Sequence, residues 1–428
     1  MPSNPLNRLS FANLAANGAE QLAMAAIPLM AALTLGANAE TMGALSAAQT
    51  LPFLLFSLVA GIWADRMPRH LLMAGSEGSR ALLLGLVPLL AFAGWLDLVS
   101  LAALGFALSA CTVMFNVAAQ AYLPAIVARE GLPAANAKIE FTRAAAVFLG
   151  PGIAGVIAGW TSPAWALAVS AITSALTALL LLTPIMRRDL PVSAADKPPV
   201  RQALAEGLML VWRHPLLRAI AGCAMAWNFS WFVLMAVFVL FAVNRLGLTP
   251  AEIGMALGAQ GLGMLLAALA APAIHARLRL GHMIILGPAT SLFAAFAIGA
   301  TTSITDSSTA FAMLCAGYFL FGFGPMLWTI GQTSLRQAIV PLRLIGRVSA
   351  IQQVATLGMR PLGALVGGLV GERFGLEAAI WLAVAGYGVQ LAVILLSQMP
   401  SLVTLPPAME EEGAWPSRCS FATPASES

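Results

Sequence analysis

The chain has 428 residues, 60% hydrophobic and only 9% charged, with 22 Lys and Arg against 18 Asp and Glu for a net charge of +4. Soluble domains carry roughly 25% charge, and a mean hydropathy of +0.86 is more apolar side chain than a water-soluble fold of this length can hide, so a soluble enzyme is excluded. The positive charges are spread over short segments rather than gathered in one patch, which argues against nucleic acid as a partner. At about 20 residues per crossing, the apolar content sets a ceiling of about 12 or 13 spans. Continuous apolar runs predict helices rather than barrel strands. The four cysteines, at 111, 223, 315 and 419, have neither disulfide-framework nor metal-ligand spacing.

In chain order, the first span falls near 10–35 and reads as a helix rather than a cleaved signal, because Asn and Glu interrupt its apolar core. Within it Asn13, Asn17, Glu20 and Met24 follow i, i+4, i+7 and i+11, one polar stripe that must face the protein interior or a cavity. Glu20 lies about 10 residues, or roughly 15 Å, into the helix. Spans two to six fall near 43–63, 71–93, 97–119, 141–160 and 163–185. Glu77 and Arg80, three apart near the start of span three, predict a same-face ion pair. Span four carries Asn116 and Gln120; span five carries Gly150, Pro151 and Gly155.

A polar linker, RRDLPVSAADKPPVRQ, separates these from a second set near 216–243, 252–273, 284–301, 309–332, 348–371 and 376–398. The divisions expected are 1–185 for the first six-helix half, 186–215 for a linker with an amphipathic helix, 216–398 for the second half and 399–428 for a disordered tail. Trp227, Asn228 and Trp231 in span seven, Tyr318, Trp328 and Gln332 in span ten, and Gln352, Gln353 and Arg360 in span eleven are the polar and aromatic candidates there. If both ends are cytoplasmic, sixteen Lys and Arg lie on the inner loops and ends and only Arg245 and Arg373 on the outer ones. That asymmetry fixes the expected orientation.

The halves also echo one another. AANAKIEFTRAAAVFLGP ends at Pro151 and LIGRVSAIQQVATLGMRP at Pro361, a shift of 210 residues. The segment Gly61-Ile62-Trp63-Ala64-Asp65-Arg66-Met67-Pro68-Arg69-His70 resembles the G-x-x-x-D-R-x-G-R-R signature of the major facilitator superfamily, with Pro68 where that pattern has Gly and His70 where it has Arg or Lys. Gly150-Pro151-Gly152-Ile153-Ala154-Gly155 is similar to the G-P-x-x-G-G element of that superfamily's exporters. Three further stretches resemble the branch containing the enterobactin exporter and the macrolide efflux proteins: Leu123 to Val127 with Ala135-Asn136-Ala137, Glu206-Gly207-Leu208 through Arg218, and Gly346-Arg347-Val348-Ser349. The resemblance covers nearly the whole chain except the tail. Span four lacks the Arg that many superfamily drug/proton antiporters carry there.

The resemblance implies an all-α integral membrane protein with twelve spanning helices in two six-helix halves and a substrate site near the midplane between them. It implies a monomer of the cell inner membrane, with both termini cytoplasmic, that exports bulky amphiphilic small molecules of the siderophore or drug class by proton-coupled antiport. An importer or lipid flippase is the alternative. Gly61, Asp65, Arg66 and Arg69 would form the gating motif, with Asp65 docking near the start of span eleven. Asn13, Asn17, Met24, Asn116, Trp227, Asn228, Trp231, Tyr318 and Arg360 would line the cavity. Glu20 would carry the proton, and Arg360, at a similar depth, would pair with Glu20 or receive an anionic group of the substrate. No phosphate-binding loop, nucleophile elbow or metal cluster is present in the sequence. Neither catalysis nor a cofactor is therefore expected, and an ion gradient is the expected energy source.

Overall fold

The computed structural model describes residues 5–127, 131–183, 200–404 and 406. Thirteen α-helices make up nearly all of this, and no strand occurs among the described residues. The first half consists of α1 (Pro5–Leu33), α2 (Ala39–Arg66), α3 (Arg69–Ala93), α4 (Leu98–Ile126), α5 (Leu132–Trp160) and α6 (Pro163–Leu181). A short α7 (Val200–Arg213) leads into α8 (Pro215–Asn244), α9 (Pro250–His275), α10 (Leu280–Ala300), α11 (Ser307–Ile339), α12 (Leu342–Phe374) and α13 (Leu376–Leu395). Ten of these are long and apolar enough to cross a membrane. The other two long helices, α1 and α2, have 29 and 28 residues, and at 1.5 Å per residue each exceeds a hydrocarbon core of about 30 Å.

Several helices extend past the spans expected from hydropathy, and the extra turns cluster at the end of the molecule where α7 lies. There α1 starts at Pro5 rather than 10, α5 at Leu132 rather than 141 and α12 at Leu342 rather than 348, while α11 runs to Ile339 rather than 332. Apolarity marks the slab of hydrocarbon, whereas the backbone goes on hydrogen-bonding to itself in water.

Within the first half α1 packs on α5 and α6, α2 on α4, and α3 on α4 and α6; in the second, α8 packs on α12 and α13, and α11 on α9 and α10. The halves meet along two seams, α2 against α12 and α5 against α9. Under the 210-residue repeat α5 corresponds to α12 and α9 to α2, so each seam is the image of the other. Both close tightly at the end remote from α7. A Cβ at Gly155 would collide with the Pro250 carbonyl, and one at Gly254 with the Pro151 carbonyl. In the other seam Gly43 and Gly368 face each other backbone to backbone. Small residues allow this close approach where lipid supplies no hydrophobic drive between helices.

The amphipathic helix expected in the linker is α7, while residues 184–199 lie outside the described residues. The tail departs from expectation at its start. Residues 399–404 are not free: Met399 and Leu402 are buried beside α8 and α10, and the Gly281 N–H donates to the Leu402 carbonyl at 2.9 Å. Two apolar side chains with a groove to fill outweigh the flanking Pro and Ser. Residues 407–428 lie outside the described residues.

Candidate functional site

Two cavities bear on the candidate site among the described residues. The first, about 290 Å³, lies between the halves and takes Glu20 and Met24 from α1, Gln49 and Phe53 from α2, Arg80 from α3 and Trp231 from α8. The second, about 460 Å³, is lined only by α8, α10, α11, α12 and α13, inside the second half. Arg360 lines both.

Glu20 faces the central cavity as expected. No ion pair reaches it within 4.0 Å among the described residues. The charges that bear on it are Arg80 first, then Glu77, Arg143 and Arg360. Arg80 is already committed, because its Nη1 donates to Glu77 Oε1 at 2.9 Å with both side chains almost wholly buried, and its Nη2 donates to the Ala16 carbonyl at 2.6 Å. That pair is the one the i, i+3 spacing predicts. The rest of the α1 stripe divides. Met24, 52% exposed, opens onto the cavity, whereas Asn13 and Asn17 donate to the Leu9 and Asn13 carbonyls at 3.0 and 2.7 Å and line neither cavity. Short amides satisfy themselves on the preceding turn, which removes them from the site.

Arg360 has no carboxylate within 4.0 Å among the described residues. Its Nε donates to Asn228 Oδ1 at 3.0 Å, and its guanidinium lies 5.6 Å from the ring centre of Phe53 and 5.5 Å from that of Phe232, one ring from each half. Direct pairing with Glu20 is therefore not formed here, although both side chains line the central cavity. Trp227 and Asn228 line the second-half cavity and Trp231 the central one; the two indoles stack at 5.4 Å.

Two further expected lining residues, besides Asn13 and Asn17, line neither of these cavities. Tyr318 is fully buried among Trp231, Phe238 and Phe321, where a bulky ring fills the core between α8 and α11. Asn116 touches neither cavity.

In the signature segment the packing of Gly61 and the Asp65 side chain lie outside what the structure describes. Arg66 is exposed at the end of α2, but Arg69 is buried in the first turn of α3 rather than lying in water, so its part is a packed one. The exporter-like element proves to be a seam: Gly150 packs on Gln21 of α1 and Gly155 on α9. Two other stretches also meet, since Glu206 of α7 pairs with Arg347 of α12 and Gly207 rests on the Arg347 carbonyl.

Two further polar residues escape the hydropathy pattern: Arg336, one of the sixteen charges on the inner loops and ends, and Gln390. Both line the second-half cavity. A usable signal existed: Trp328, Gln332 and Arg336 are spaced i, i+4, i+8, as are Gln352, Thr356 and Arg360, so two polar stripes on α11 and α12 face one another.

The family model described as Major Facilitator Superfamily matches residues 9–355. The chain is 26% identical over 392 residues to the multidrug efflux pump Tap of Mycolicibacterium fortuitum, covering 87% of this chain and 91% of that one. It is also 26% identical over 339 residues to an MFS-type transporter of Sinorhizobium fredii, covering 77% and 79%. Among solved structures, a bacterial homologue of the human lysosomal transporter Spinster superposes with a TM-score of 0.71 at 14% identity over 92% of this chain and 97% of that one. A bacterial homologue of the iron transporter ferroportin gives 0.69 at 16% over 91% and 98%. With two six-helix halves joined along symmetric seams around a central cavity, and a family model covering most of its length, the chain belongs to the major facilitator superfamily and is a multi-pass membrane transporter rather than an enzyme.

Proposed function

We propose that the protein is a secondary active exporter of bulky amphiphilic small molecules, drug or siderophore in class, driven by proton antiport, with both termini cytoplasmic. The observation that carries this reading is the pairing of opposites in the central cavity without contact: a carboxylate, Glu20, and a guanidinium, Arg360, come one from each half and line one apolar chamber with no ion pair between them. A charge at membrane depth is costly and is kept for function. Arg cannot shed its proton, so of the two only Glu20 can change charge as access alternates. Efflux by the Mycolicibacterium relative and the exporter-like glycines at the α5 seam support the direction. The sixteen-to-two distribution of Lys and Arg supports the orientation.

The test is transport in proteoliposomes of measured orientation. An imposed proton gradient should drive accumulation of an amphiphilic dye, and Glu20→Gln should abolish uphill accumulation while leaving downhill exchange within about two-fold. Accumulation against a gradient by Glu20→Gln would overturn the role of Glu20; an absence of gradient-driven flux in the parent protein would overturn the exporter.

A further inference from the structure

The cavity inside the second half is built for a ligand group, and its chemistry is one-sided. Four buried donors there have no partner among the described residues: Trp227 Nε1, Trp328 Nε1, Arg336 Nε and Gln352 Nε2. The acceptors left open are the amide oxygens of Gln332 and Gln390, two groups whose orientation is assigned from the network rather than fixed by shape. Gln332, Gln352 and Gln390 are all more than nine-tenths buried. Arg336 is held in place, since its Nη1 donates to Gln352 Oε1 at 2.6 Å, which leaves its Nε–H and the Gln352 NH2 unused beside one another. No Asp or Glu lines this cavity.

Charge narrows the ligand. Arg336 and Arg360 bring two positive charges to the walls, and no carboxylate among the described residues lines them in return. We propose that this cavity is an anion pocket for the carboxylate of an amphiphile, with Arg336, Gln352 and the two indole N–H groups as its donors. The amphiphile's apolar body lies past Arg360 in the central cavity against Met24, Phe53 and Phe232. The pocket stands on its own donors; only the claim that the bound molecule is cargo rests on the exporter reading. An open donor set in a buried cavity rejects a neutral analogue, because the donors then stay unpaired.

The full chain in lipid nanodiscs, titrated with 4-phenylbutyrate and with 4-phenylbutyramide while following heat and indole fluorescence, tests this. The carboxylate should bind at least ten-fold more tightly than the amide. Arg336→Gln should weaken the carboxylate about ten-fold and the amide less than two-fold. Trp328→Phe keeps an aromatic ring, though a smaller one, and removes one N–H; it should weaken the carboxylate about three-fold more than the amide, whether or not Arg336→Gln folds. Equal affinity for the two probes, or equal weakening of both in the variants, overturns the pocket. Carboxylate-selective binding in a protein that shows no gradient-driven flux supports the pocket and fails the exporter reading, whereas gradient-driven flux with no preference between the probes overturns the pocket alone.

Discussion

The two ends of the molecule are held by different physics. At the end remote from α7, four of the six helices that begin there are closed by side-chain caps: Asn38 accepts from the Thr41 N–H, Asp97 from Ser100, Thr249 from Glu252 and Asp306 from Thr309. The seams there are glycine on backbone. At the α7 end the helix starts at α3, α5, α10 and α12 have no side-chain cap, α8 has one in His214, which accepts from the Leu217 N–H, and an ion pair between Glu206 and Arg347 ties α7 to α12. Caps and close backbone contacts are local hydrogen bonds and packing, whereas a partly exposed ion pair is weak and screened by salt. The remote end is thus held by close local contacts and the α7 end by a weaker, screened pair, the contrast that alternating access, as proposed, would use.

Breaking the close contacts should have the largest effect. Gly155→Leu places a side chain where the Pro250 carbonyl already sits, and overpacking of this kind costs about 1–3 kcal/mol. Flux should fall below about a tenth of the parent rate with a lower unfolding temperature; full flux would mean that the α5–α9 seam need not close in transport.

Breaking the pair should cost less. Arg347→Glu and Glu206→Arg alone should each slow flux several-fold, and the double swap should restore at least half of the parent rate, since a partly exposed pair contributes roughly 1 kcal/mol or less. Raising salt should blur the difference between parent and variants. A double swap no better than either single variant would show that the pair does not hold that end.

The smallest effect sharpens the contrast through pH. The neighbouring Ser100 hydroxyl, and next the Ser100 backbone N–H that donates to Asp97 Oδ1 at 2.7 Å, hold the Asp97 carboxyl below the ordinary carboxylate range. A depressed value in the folded state means that the stabilisation is complete above about pH 4 and is lost as pH falls through the depressed value. Asp97→Ala should lower the unfolding temperature slightly at neutral pH, and the gap to the parent should close in acid. A gap independent of pH would show that the carboxylate's charge plays no part in the cap.

Much of this was legible in one dimension. The spans, the halves and the repeat follow from hydropathy and from the 210-residue echo, because each spanning helix must satisfy its own backbone and bury its own apolar length. Glu20 and Arg360 stood out for the same reason, since charges are rare where water is absent. The Glu77–Arg80 pair needed only the pitch of a helix.

What the sequence could not decide is which polar side chains satisfy themselves and which stay open. Asn13 and Asn17 read like Glu20 along the stripe, but a short amide reaches the carbonyl one turn back, while the longer carboxylate of Glu20 faces the cavity. Tyr318 and Trp231 both read as aromatic lining, yet one is swallowed by the core and the other faces the chamber, because their neighbours come from helices far apart in the chain. Arg336 looked like a loop charge until α11 ran on past the apolar slab and turned it toward Gln352. Helix period and transfer energy act along the chain and are written there; partners and open donors depend on which distant surfaces meet, and only the packed halves determine that.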